Sequence, residues 1–358
     1  MKNSTTNARN VASSSTHRFP WKWNLSDLDK VEKNGLNVFS TFSCGGGSSM
    51  GYKLAGFNVI GNCEIDEAVI KIYRQNLHPK YSYLMDVRDF LKIPMEELPE
   101  ELKHLDVLDG SPPCSTFSMA GAREDGWGVE KKFREGQEKQ RLDDLFFWFI
   151  KIADKLQPKV VIAENVEGLI HGNAKGYVNE IVKAYDKAGY VVQLFFLNSA
   201  TMGVPQARRR VFFVAHRKDL AYPKLKLEFN EKPVLFGEVR SEKGRSIGID
   251  TLTAKRLSKR RKGDTKLSMI TKRTEGVDKC FTQMIIDDDM VAPTITSGGN
   301  QYRFCDAMLL SKQDYVSVQS FPQDYDFGTQ SAQYVCGMSV PPVMMAQIAS
   351  AVYEQWLR

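Results

Sequence analysis

Cys114 stands in Asp109-Gly110-Ser111-Pro112-Pro113-Cys114-Ser115-Thr116-Phe117-Ser118, directly after two prolines. Proline fixes φ, so the backbone entering the cysteine is already set. A lone cysteine is more often a small buried hydrophobe, but a plain loop has no need of a Pro-Pro frame. The arrangement suits a preorganised thiol, and an ionised thiol is a strong nucleophile. Glu164 is the second candidate. It ends the apolar run Val160-Val161-Ile162-Ala163, with Asn165 and Val166 behind it. A carboxyl half-buried at a strand end is expected to have a raised pKa, to keep its proton and to donate a hydrogen bond. The third candidate is Gln206-Ala207-Arg208-Arg209-Arg210. In an extended segment Gln206, Arg208 and Arg210 share one face, which suits a phosphate or a base edge. An ordinary basic edge strand would give the same pattern.

A ligand-holding signal lies nearer the start. Cys44-Gly45-Gly46-Gly47 separates an apolar run from a helix-like one. Glycines there would let a ligand approach the backbone, and the helix N-terminus adds donors. Glu64 follows Gly47 by seventeen residues, at the end of a second apolar run. An acid in that place can accept hydrogen bonds from both ribose hydroxyls of an adenosine cofactor. Asp86, in Leu84-Met85-Asp86-Val87, is placed for an adenine amino group. The turn does not match GxGxxG, and either acid taken singly would more often be a helix cap or a solvated strand end.

These residues need elements to hold them. Asn37–Phe42 reads as a buried strand and Ser48–Ala55 as a helix. Phe57–Cys63 reads as a second strand, with helix-like sequence through Asn76. Further strands are predicted at Leu105–Leu108, Lys159–Ala163, Val191–Leu197 and Val211–Ala215, with a helix at Leu142–Leu156. Strands alternating with helices predict an α/β fold with an open parallel sheet, where ligands bind outside the carboxyl ends of strands. The rhythm stops after Arg217. We expect a tail at 1–35, without fixed structure, a catalytic and cofactor-binding domain at 36–217, a smaller domain at 218–331, and a segment at 332–358 returning to the first.

The chain has 358 residues and a net charge of +6. Val239–Lys279 holds thirteen Lys/Arg against five Asp/Glu, a local excess of +8, so the remainder carries −2. Positive charge gathered in one segment suggests a polyanion partner, though a solvated charged loop is as common. The six cysteines are scattered without a CxxC pair, and there are five histidines, so no metal site is expected. No secretory leader or run of about 18 apolar residues is evident, and we expect a cytoplasmic monomer with reduced thiols.

Together these motifs resemble the DNA (cytosine-5)-methyltransferase family, bacterial or phage type. Ser40-Thr41-Phe42-Ser43 with the glycine turn resembles its first motif, and Ser111-Pro112-Pro113-Cys114 its catalytic loop. Glu164-Asn165-Val166 resembles its acid motif, and Gly203-Val204-Pro205-Gln206-Ala207-Arg208-Arg209-Arg210 its QxRxR motif. Ser320-Phe321-Pro322 and Gly337-Met338-Ser339-Val340-Pro341-Pro342 resemble the late motifs. Ser40 replaces an acid usual in the family, Cys44 a common glycine, and Met338 a common asparagine.

The resemblance implies a Rossmann-like, S-adenosylmethionine-dependent sheet with a smaller target-recognition domain. Its implied reaction is methylation of cytosine carbon 5 in a short sequence of double-stranded DNA. The base would be flipped out and Cys114 would add to carbon 6. Glu164 would donate to ring nitrogen 3, Arg210 would hold the base carbonyl, and Arg208 a phosphate. Phe42, Ser43, Gly45, Gly46, Gly47, Glu64, Ile65, Asp86, Val87, Pro113, Leu145 and Ser339 would form the cofactor pocket. Gln206, Arg256, Lys259, Arg260, Arg261 and Lys262 would meet DNA. A restriction endonuclease acting separately on the same sequence is a possible companion. Two alternatives stay open. Cys280-Phe281-Thr282 matches a tripeptide of the tRNA cytosine methyltransferases of the same fold. A non-catalytic DNA-binding relative is the other, although Cys114, Glu164 and Arg210 are all intact.

Overall fold

A computed structural model of the chain describes residues 17–113, 144–170, 175–280 and 282–358. Cys114 and Phe281 therefore lie outside the described residues. The central sheet is built from Asn37–Thr41 (β1), Asn58–Glu64 (β2), Tyr81–Leu84 (β3), Val107–Gly110 (β4), Val160–Val166 (β5), Tyr190–Asn198 (β6) and Arg209–Arg217 (β8). Gln206–Ala207 (β7) precedes β8 and pairs elsewhere. The strand order is β3-β2-β1-β4-β5-β8-β6. Helices Gly47–Leu54 (α1), Glu67–Leu77 (α2), Val87–Lys92 (α3), Glu100–Lys103 (α4), Leu145–Leu156 (α5) and Lys175–Lys187 (α6) connect and cover it. β1 and β5 are buried along almost their whole length, because both faces of a central strand are covered.

The order reverses between β1 and β4, which are parallel neighbours although helices and two strands separate them in sequence. That switch point opens a crevice at the carboxyl ends, where open α/β sheets take their ligands. The sheet is not wholly parallel as expected: β8 runs antiparallel to both β5 and β6. The chain from Asn198 to Arg209 is too short to carry a crossover helix, so it can only turn back. β3 was missed because its Tyr-Ser-Tyr-Leu sequence is short and its side chains are at most half-buried on the sheet edge.

Beyond β8 come Phe236–Val239 (α7), Leu252–Leu257 (α8), Leu267–Glu275 (α9), Met284–Ile286 (β9), Ala292–Pro293 (β10), Gln301–Arg303 (β11) and Lys312–Val318 (α10). Leu257, Leu267, Ile270, Ile285 and Tyr302 form a small core of their own. Phe236, Val239, Ile286, Ile295 and Tyr315 instead share a core with Met50, Leu54 and Tyr73 of α1 and α2. The last helices, Ala332–Met338 (α11) and Pro342–Val352 (α12), return to the sheet. Every residue of α12 is buried, as a helix apolar on all sides requires. The Ala332–Leu357 stretch is apolar and long enough to cross a membrane, but it is almost wholly buried inside the fold.

The expected structureless tail fails from residue 17 onward. Trp23 is 2% exposed, its indole N–H donates to the Ser320 carbonyl, and Leu28 is buried beside it. Trp23 is thus part of the core, with Trp21 packed against it and Lys22 exposed, because an indole buries a large apolar area and still satisfies its N–H.

Candidate active site

β1 ends at Thr41, and the next residues turn sharply. Phe42 and Cys44 adopt left-handed φ values of 51° and 45°. Bulky residues rarely do so, and such strain persists only where the surroundings fix it. Here they do. Gly46 N–H donates to the Ser43 carbonyl, Asn62 to Ser43 Oγ, and Cys44 N–H to Glu64 Oε2 at 2.9 Å. The glycines serve packing as much as ligand approach. A Cβ on Gly47 would lie 2.1 Å from the Val340 carbonyl oxygen, and Gly45 is pressed against Val335. The turn is therefore closed from behind by α11 and the start of α12.

Glu64 ends β2 half-buried, accepting N–H bonds from Cys44, Ile65 and Asp66. Burial raises its pKa despite those donors. Ile65 next to it is an apolar side chain 40% exposed among the described residues. Asp86 caps α3 and forms a close pair with the Arg88 guanidinium. Burial pulls its pKa up, but Arg88 holds it below the usual carboxylate value. Val87 and Leu145 are buried in one apolar cluster, and the buried Ser339 Oγ meets the Cys44 thiol of the turn. An acid, an exposed apolar side chain and a hydroxyl at the glycine turn fit an adenosine-bearing cofactor.

On the other side of the switch point β4 feeds Gly110-Ser111-Pro112-Pro113. The Asn165 amide, at the end of β5, donates to the Pro112 carbonyl at 3.1 Å. Glu164 is 8% exposed, and Arg210 Nε lies 2.8 Å from its Oε1 as an ion pair. Val166 and Arg210 are register partners across β5 and β8, which explains why acid and arginine meet. The loop root, the acid and the arginine thus converge within two strand ends. Cys114, one residue past Pro113, lies outside the described residues. Cys44 is no rival nucleophile: burial pushes its thiol up to about 12, with Glu64 adding to the effect.

The profile of the C-5 cytosine-specific DNA methylases matches residues 36–354. The chain belongs to that family. Its members are S-adenosylmethionine-dependent DNA (cytosine-5-)-methyltransferases. The chain is 37% identical to the type II methyltransferase M.NgoPII of Neisseria gonorrhoeae over 187 residues, covering 52% of this chain and 50% of that one. It is 29% identical to M.Sau96I of Staphylococcus aureus, covering 90% and 76%. The first of these alignments therefore spans only half of its relative. A solved structure described as a DNA modification methyltransferase encoded within a prophage (E. coli) superposes with a TM-score of 0.66 at 20% identity, over 90% of this chain and 100% of that one. At that identity it supports the Rossmann-like methyltransferase fold.

Within this methylase site three expectations need correction. Arg208 was expected on a phosphate. It is 3% exposed, and its guanidinium donates to the carbonyls of Ile295 and Gly337. Burial, then the neighbouring Arg210, pulls its pKa down to about 9, and its Nε has no hydrogen-bond partner among the described residues. Gln206 was expected to meet DNA. It is fully buried, donating to Gln319 and accepting from the Ile295 N–H. The two side chains do share a face, but it is the seam with β10 and α11 rather than solvent. The basic segment is also partly spent. Arg256 pairs with Glu275, Lys262 with Asp287 and Asp289, and Arg260 donates to the carbonyls of Phe304 and Cys305. Lys259 and Arg261 are exposed, with no carboxylate partner among the described residues.

Sequence reading missed Asp109, which is 2% exposed at the end of β4. The signal was available: Val107-Leu108 ending in an acid is the pattern that singled out Glu164.

Proposed function

We propose that the chain transfers the methyl group of S-adenosylmethionine to carbon 5 of a cytosine flipped out of double-stranded DNA, within a fixed short sequence. The observation that carries this reading is the Asn165–Pro112 hydrogen bond. It holds the loop that leads into Cys114 against the strand end bearing Glu164 and its partner Arg210. A base can be attacked only outside the stack, and flipping costs a few kcal/mol. Cys114 as thiolate adds to carbon 6, and Glu164 donates to ring nitrogen 3 as charge develops. Arg210, already beside Glu164, turns to the base carbonyl. A methyl delivered to carbon 5 would be followed by loss of that carbon's proton to water and departure of Cys114 as thiolate.

The cofactor supplies an electrophilic methyl group. Glu64 would hold its ribose, Ile65 and Phe42 its adenine, and Ser339 its polar end. Asp86 would reach the adenine amino group only by sharing its carboxylate with Arg88. Lys259 and Arg261 would neutralise phosphates, whereas Arg256, Arg260 and Lys262 brace the small region. Names of relatives such as M.Sau96I point to a restriction–modification setting, with a nuclease as a separate protein.

The test is Cys114→Ser with tritiated methyl transfer to unmethylated duplex DNA and to unmodified tRNA, plus a gel shift. Loss of transfer with DNA binding kept is expected. Retained activity removes Cys114 as nucleophile, and preferential labelling of tRNA replaces the substrate.

A further inference from the structure

Asp109 sits where the sheet order reverses. Its Cα partner on β1 is Ser40, whose Oγ donates to Asp109 Oδ2 at 2.7 Å. Tyr52 of α1 donates to Oδ1 at 3.4 Å, and the Ser48 hydroxyl at the start of α1 adds a third bond. Thr41 Oγ1 holds the Asp109 backbone carbonyl at 3.2 Å. Ser40 and Thr41 lead into the cofactor turn, and α1 leaves it. Asp109 itself begins the run that ends at Cys114. One buried carboxyl therefore ties the two halves of the site together.

We propose that Asp109 is a positioning residue for methyl transfer: its carboxylate gathers the Ser40, Ser48 and Tyr52 hydroxyls and so fixes the cofactor turn to the root of the Cys114 loop. The inference rests on the proposed methyltransferase reading. An ionised carboxyl is acceptor-only, so it can take all three hydroxyl donors at once. A protonated one must donate through one oxygen, and one hydroxyl has to turn away.

The surroundings make that change fall near neutrality. No cation forms an ion pair with Asp109 among the described residues. Ser40 and Thr41 face it from β1, Ser48 and Tyr52 from α1, Tyr73 from α2 at longer range, and Glu164 from β5. Burial raises the pKa to about 7, Glu164 adds to the rise, and the three hydroxyls oppose it. The positioning form is thus present above that pH and lost as pH falls through it.

The experiment measures binding of S-adenosylmethionine to the full chain by calorimetry between pH 6 and 8, with kcat and KM alongside. In the parent, affinity should fall as pH drops below about 7. Asp109→Asn should bind about tenfold more weakly at pH 8, the loss expected for hydrogen bonds to a charged group, and its affinity should be flat across the range. Ser40→Ala, which keeps the carboxylate but removes its nearest donor, should move the midpoint upward. The exchange variant Ser40→Asp/Asp109→Ser returns a carboxyl to the same point from β1 and should recover most of the affinity and the pH dependence. If Asp109→Asn keeps the parent's affinity and pH profile, the proposal fails. Should that variant not fold, an unmoved midpoint in Ser40→Ala overturns it equally. Failure of the underlying reading looks different: the parent would then neither bind the cofactor nor transfer a methyl group.

Discussion

The carboxyl edge of the sheet and the basic segment after it respond differently to the same kind of sequence reading. At the sheet edge, residue type and place in the chain decided the geometry together. Glu164 closes the apolar run of β5, and Arg210 lies in the first two residues of the strand that pairs with it. In the small region, charge was counted without knowing what each group would meet. Asp287 and Asp289 lie just outside the counted segment and turn back to neutralise Lys262. Arg256 and Arg273 find Glu275 and Asp264 within it. A strand end constrains its side chain, whereas a surface cluster leaves long side chains free to pair locally.

The sharpest break of this comparison would come from the sheet edge. Glu164→Gln should slow methyl transfer by roughly 10²–10³-fold, the usual cost of losing one transition-state donor. A single-turnover rate within threefold of the parent would make Glu164 a structural group. Asn165→Ala should follow, with a loss of about ten- to a hundredfold. It strands the buried Pro112 carbonyl, at about 1–3 kcal/mol, and loosens the Cys114 loop. Its cofactor affinity should stay near the parent value, which separates loop positioning from collapse of the pocket.

How much was legible follows from the same contrast. The α/β alternation, the glycine turn and the strand-end acids could be read directly, because parallel strands bury both faces and announce themselves as apolar runs. The reversal of β8 could not, since an apolar strand has no direction in its sequence. Arg208 and Gln206 were assigned to one face correctly, but sequence does not say what covers that face. Here the β10 pairing and the Gly337 carbonyl cover it. Trp23 falls within the expected 1–35 tail, and sequence alone does not set it apart because its partner, Ser320, is 297 residues away.

The basic segment offers the next test. Lys259→Gln/Arg261→Gln should lower the log–log salt slope of DNA binding by about 1.8, if each contacts one phosphate. Arg256→Gln/Lys262→Gln removes the same charge from groups already paired, and should leave that slope nearly unchanged. Equal slope losses in both variants would mean the internal pairs open on DNA. The comparison between constrained strand ends and free surface charges would then no longer hold.

The smallest expected effect concerns Cys44. Its φ of 45° is a conformation that favours glycine. Cys44→Gly relieves left-handed strain but gives the unfolded chain more freedom, two terms of about 0.5–2 kcal/mol each with opposite sign. Stability should therefore change by less than about 1 kcal/mol. Activity should persist, since a buried thiol pushed up to about 12 takes no part in attack. Cys44→Val is the contrasting variant. A β-branched side chain tolerates a left-handed φ poorly, so thermal stability should fall clearly below that of the glycine variant. If valine is accepted as readily as glycine, the turn at Phe42–Gly47 can relax. Its shape would then owe less to the packing of Val335 and Val340 behind it than the close contacts at Gly45 and Gly47 indicate.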